Sequence, residues 1–188
     1  MPGFSLQLCL TALFTALGVL FPILFHAVGL GSVFLPMFWP VAASGFFLPP
    51  ASSLAVAVLA PVLSFLLTGM PPVSPPVLHA IVPEMAVLVS CVRILSRRFR
   101  LHPILALAVG LVLSRMVLFL GARCLGPVIG LPPSFASAAA ILHGLPGVAA
   151  MLVCIPIVVA RLNPAVMHHT TASRGKTDPR RGRQRHRT

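Results

Sequence analysis

Apolar residues in this chain come in long runs, separated by short breaks rich in Gly, Pro or Arg. A helix that crosses a bilayer needs about 20 apolar residues, at about 1.5 Å each, to span roughly 30 Å of hydrocarbon. Six runs qualify as candidates: 6–27, 36–49, 51–69, 77–96, 102–122 and 136–160. The second is short and bounded by Pro36, Pro40, Pro49 and Pro50, which predicts a tilted, broken or shallow segment. The expected fold class is therefore an all-α membrane protein, a bundle of six transmembrane helices over residues 1–162.

Composition agrees with lipid as the solvent. Of the 188 residues 57% are hydrophobic and 9% charged, whereas a soluble domain carries about a quarter charged residues. The first run has no Lys or Arg before it and is longer than the apolar core of a secretory signal, so it reads as a spanning helix. Cys9, Cys91, Cys124 and Cys154 are far apart, form no CxxC pair and read as small hydrophobes.

Charge gives the orientation. There are 14 Lys and Arg residues against two acids, Glu84 and Asp178. All the basic residues except Arg115 and Arg123 fall between Arg93 and Arg100 or from Arg161 onward. That distribution orients a membrane protein and does not describe a nucleic-acid footprint, so no nucleic-acid partner is expected. An even number of spans puts both basic clusters on one side, with N- and C-termini cytoplasmic in the cell membrane. Residues 163–188 form a polar, basic tail without apolar periodicity, expected to be disordered and solvated near anionic lipid. Its Gly175-Lys176-Thr177 lacks both the upstream glycine and the preceding strand of a phosphate-binding loop, so any ATP hydrolysis must happen on another chain.

The outer connections are then 28–35, 70–76 and 123–135, rich in Gly and Pro and nearly free of charge. Prolines pre-shape a loop, which suits a rim or lid over a pocket as well as plain helix termination. Ionisable groups in hydrocarbon ask for a partner or water. Glu84 in the fourth run and Arg115 in the fifth both fall about 10 Å below the outer rim, and His143 comes to a similar level. The three define a candidate substrate site, with Arg115 as partner for an anionic group. The simpler reading is a structural ion pair between two helices. His26 and His79 lie at outer helix ends; with no i,i+4 pairing among the histidines, no metal site and no cofactor are expected. Ala12 and Ala16 form a small-xxx-small face on the first run, beside Thr11 and Thr15, which lets another helix approach closely.

Several segments in order resemble a known family. Phe25-His26-Ala-Val-Gly-Leu-Gly31, Phe34-Leu-Pro-Met37 with Pro40-Val41, Pro61-Val-Leu-Ser64, Leu67-Thr-Gly-Met-Pro-Pro72 and Gly144-Leu-Pro-Gly147 together resemble the substrate-binding S component of an energy-coupling factor (ECF) transporter, in the broad group with folate and pantothenate types. The resemblance covers about residues 8–162. It implies capture of a vitamin or precursor from outside and delivery with a membrane coupling subunit and two ATPase subunits. It also implies that Ala12 and Ala16 dock that coupling subunit, and that His26, Met37, Phe38 and His79 join Glu84, Arg115 and His143 at the substrate. The chain departs from the family pattern at Phe38, where His commonly follows the LPM stretch, and at Pro49-Pro50, where a Gly-rich turn is usual. The chain itself is not expected to be an enzyme. The alternatives are a membrane-embedded enzyme using Glu84 and His143, and a stand-alone secondary carrier, for which residues 1–95 and 96–188 offer no convincing repeat.

Overall fold

Proline, glycine and left-handed backbone mark where the helices begin and end. The structure, a computed structural model, describes residues 4–72, 77–124, 126–129 and 144–162. Within them lie α1 (Phe4–Ala27), α2 (Gly31–Phe34), α3 (Phe38–Phe47), α4 (Pro50–Thr68), α5 (Val77–Arg97), α6 (Pro103–Cys124), α7 (Gly126–Ile129) and α8 (Leu145–Leu162), with no strand among the described residues. Pro50 occupies the first turn of α4, where its missing N–H costs nothing, and Gly69 ends that helix at φ 71°. Arg100, at φ 51°, turns the chain between α5 and α6.

Five of these helices, α1, α4, α5, α6 and α8, are long and apolar enough to cross a membrane. Between 22% and 33% of each spanning window is buried inside the bundle, so most of the apolar side chains face outward. Leu67 and Leu120 are 72% and 63% exposed. Water would not tolerate a surface of that kind at this extent. The chain is a multi-pass helical membrane protein.

The sixth helix of the bundle is the short one. α3 has 10 residues, and seven of them are buried: Phe38, Pro40, Val41, Ala42, Ser44, Gly45 and Phe46. A helix that is apolar on all sides belongs at the centre of a structure, and α3 packs against α1, α4, α5 and α8. Its small residues admit its neighbours: a Cβ on Gly45 would come within 3.1 Å of the Val89 carbonyl oxygen of α5. The expected break in the second run falls at Leu35, whose φ of 49° and ψ of 52° separate α2 from α3. Left-handed backbone at a non-glycine costs about 1 kcal/mol or more. The Trp39 indole N–H, donating to the Phe34 carbonyl at 2.9 Å, fixes the junction.

Contacts along the helices set their directions. Phe14 of α1 stacks on Phe47 with ring centroids 6.1 Å apart, and Phe25 meets Phe34 at 5.6 Å, so the α2–α3 segment runs back along α1. Gly18 of α1 faces Ala60 of α4, and both helices carry on to the same end. The Arg97 guanidinium donates to the Phe46 carbonyl at 3.1 Å, tying the last turn of α5 to the last turn of α3. α6 returns antiparallel to α5, with Gly110 against Val92 and Leu88. The two ends of the bundle are named here by His26 and by Arg97. The sequence window 136–160 corresponds to α8, and its first part, with the connection before it, lies outside the described residues, as does the tail 163–188.

The first turn of α8 presses on α2: a Cβ on Gly147 would stand 2.6 Å from the Phe34 backbone, which cannot swing aside as a side chain can. Gly147→Ala is expected to lower stability by about 1–3 kcal/mol, as overpacking does. Gly121→Ala, with nothing within 4 Å of the new methyl, should leave it unchanged. Thermal unfolding of the two variants in detergent, side by side, checks this.

Candidate functional site

At the His26 end the helices leave a cavity of about 200 Å³. α1 contributes Pro22 and His26 to its wall, α4 contributes Ser64, and α5 contributes Ile81 and Met85. The α2–α3 junction brings Gly31 and Leu35 through Phe38, and the exit of α4 brings Met70, Pro71 and Pro72 from across the opening. Sequence dictates these positions locally. Leu35 must turn left-handed and Pro36 cannot continue a helix, so the chain folds inward at this point and points Phe38 to the core. On the opposite wall the Thr68 hydroxyl donates to the Ser64 carbonyl at 2.7 Å and receives the Met70 N–H at 3.3 Å. The Leu78 N–H donates to the Pro72 carbonyl at 3.1 Å, clamping the far end of that turn to α5.

His26 is exposed at the mouth, and a Cβ on Gly31 would fall within its imidazole. Glycine at 31 is therefore what lets the ring lie against the α2 backbone. This is a steric requirement.

Glu84 and Arg115 meet as their depths predict, but in the bundle and not on the cavity wall. Arg115 Nη1 lies 3.1 Å from Glu84 Oε1, with the Glu84 side chain 1% exposed. The contact is an ion pair by distance without hydrogen-bond alignment: among the described residues neither Glu84 Oε1 nor Arg115 Nη2 has a hydrogen-bond partner. The Arg115 guanidinium also sits 5.0 Å from the centroid of the Phe38 ring, within cation–π range. Phe38, buried, belongs to both places, facing the cavity and lying against Arg115. Met85, the residue after Glu84, reaches the cavity wall; Glu84 itself does not.

Of the substrate residues expected from sequence, His26, Met37 and Phe38 thus line one cavity, while Glu84 and Arg115 form the pair behind Phe38. His79 is exposed in the first turn of α5 and is not on the wall. His143 lies outside the described residues. Ala12 and Ala16 are exposed and share a groove of about 590 Å³ between α1 and α4 with Leu59, Leu63 and Leu67. The hydroxyls beside them are turned into their own helix, Thr11 to the Gln7 carbonyl at 2.7 Å and Thr15 to the Thr11 carbonyl at 2.8 Å. Among the described residues no three of His, Cys, Asp and Glu gather closely enough to hold a metal ion, and all four cysteines are free.

Sequence reasoning passed over Ser64 as a site residue, although it had a signal. It is a hydroxyl in the middle of an apolar run, one turn after Pro61, and it shares that residue's buried face. Comparison with known proteins finds no matching family model, no matching curated protein and no matching solved structure. The cavity and its chemistry therefore carry the functional argument.

A buried charge is costly to leave without its partner. Arg115→Leu, which strands the buried Glu84 carboxylate, should lose about 3–5 kcal/mol of stability, and Glu84→Leu, which leaves the 26% exposed Arg115, should lose less. The double variant should recover most of the loss. Unfolding midpoints of the four proteins in one detergent measure the coupling, and losses that simply add would show that the two groups act independently.

Proposed function

We propose that this chain captures a small solute in the cavity at the His26 end and delivers it inward, as an S-component-like subunit of an ATP-driven importer of a vitamin or precursor. The observation that supports this most directly is a convergence. Two neighbouring segments that resemble S components, Phe25–Gly31 and Phe34–Met37, meet a third that is distant in sequence, Leu67–Pro72, around a single cavity. A half-open apolar pocket with few polar groups is the usual form of a small-molecule site. Left-handed backbone at Leu35, on that wall, is the sort of strain that binding sites retain.

In this reading the Arg97 end is cytoplasmic, following the basic clusters, and the cavity opens outward. The α1–α4 groove with Ala12 and Ala16 receives the coupling subunit, whose own helices approach where side chains are smallest. The two ATPase subunits supply the energy, and this chain supplies recognition without catalysis or a cofactor.

Two variants separate capture from delivery. Ala16→Trp fills the groove and should abolish uptake in cells that hold the energising subunits, yet leave the solute bound to the purified protein. Leu13→Trp, off the groove, should affect neither. Mass spectrometry of small molecules carried through purification identifies the solute. A purified chain that carries no solute, in cells showing no uptake above empty-vector controls, would sink the capture reading. Normal uptake by Ala16→Trp would remove only the docking face.

A further inference from the structure

The wall of the cavity has no Asp, Glu, Lys or Arg among the described residues; His26, at its exposed mouth, is the single ionisable side chain there. Glu84 and Arg115 are not on the wall; Phe38 is, and its ring centroid lies 5.0 Å from the Arg115 guanidinium. The floor is different. Among the described residues six polar ones are buried in the bundle: Thr15, Ser44, Ser53, Ser64, Glu84 and Ser114. Four of these bond to a backbone carbonyl three or four residues earlier: Thr15 to Thr11, Ser44 to Val41, Ser53 to Pro50 and Ser114 to Leu111. Glu84 has Arg115. The Ser64 hydroxyl makes no such bond among the described residues, is 1% exposed, and faces the cavity.

A hydroxyl inside an apolar helix normally returns its proton to its own backbone, because hydrocarbon offers nothing else. One that makes no such bond and opens on a cavity wall is supplied with a partner by whatever fills the cavity. The remaining wall is Met, Pro, Leu, Ile and Phe, which attracts flat or compact apolar groups and rejects charge for want of solvation. We infer that the captured solute is an uncharged, compact and largely apolar molecule, aromatic or heteroaromatic in character, seated against Phe38 and Met85 with one polar atom hydrogen-bonded to Ser64. A cavity of about 200 Å³ is small beside the roughly 300–1,000 Å³ that drug-sized ligands occupy. Arg115 is then a structural cation, sealed from the solute by Phe38. This inference rests on the capture reading and narrows its substrate class.

The test uses three probes of similar size and shape, benzamide, benzoate and benzylammonium, in equilibrium dialysis against the full-length protein in lipid nanodiscs. Benzamide should be retained, with benzoate and benzylammonium at least about tenfold weaker, since neither charge finds a counter-charge on the wall. Ser64→Ala should weaken benzamide by about 3- to 10-fold, the range of one hydrogen bond. It should leave the unfolding midpoint unchanged, because the hydroxyl supports nothing in the bundle. Benzoate binding tightest, and lost in Arg115→Leu, overturns the inference while leaving capture intact: the ring of Phe38 would have moved aside and an anion would be the solute. Equal benzamide binding by wild type and Ser64→Ala removes Ser64 from the site. Retention of none of the probes also overturns the substrate class. The capture reading is judged separately, by the molecule that travels with the purified chain.

Discussion

In hydrocarbon an apolar side chain has no preference for the inside of a protein, so helices hold together by how closely they can approach. Everything in this bundle depends on that approach at α3. Its Ala42, Ser44 and Gly45 are small, and larger side chains on α1, α4 and α5 close around them. Gly18 against Ala60, Gly110 against Leu88 and Gly147 against the Phe34 backbone repeat the device at other crossings. Where close packing stops, at the His26 end, the α2–α3 junction takes the place of a continuous helix and leaves space. The cavity is a consequence of a second apolar segment whose longer helix, α3, occupies only the half toward the Arg97 end.

Membrane interiors also set a price on every polar group, and the chain meets it in three ways. Most hydroxyls are returned to their own helix. The one buried carboxylate among the described residues is paired with Arg115, whose guanidinium in turn rests on Phe38. Ser64 alone among the buried hydroxyls is left facing open volume. In the proposed recognition it is this hydroxyl, and not the ion pair, that offers a hydrogen bond to the solute; the pair joins α5 to α6.

Much of this was legible in the order of residues. Run lengths and proline placement gave the helices, including the short second one, because spanning length and the missing N–H of proline are properties of a segment taken alone. The shared level of Glu84 and Arg115 followed from 1.5 Å per residue along two antiparallel helices. The segments around His26, Met37 and Met70 were noticed as motifs before they were seen to face one another.

What the sequence could not decide was azimuth. Rise along a helix axis is fixed by counting, whereas the direction a side chain points depends on how each helix is rotated against its neighbours, and in lipid apolar residues cover all faces and leave no stripe to read. Counting therefore placed Glu84 and Arg115 at a common depth but not behind Phe38, and it could not distinguish Ser64 from Ser44 or Ser114. The sequence by itself determined the solvent, the segments and the levels. Tertiary structure decided which polar group is spent on the bundle and which is left for a ligand, because that depends on the packing of side chains from four helices at once.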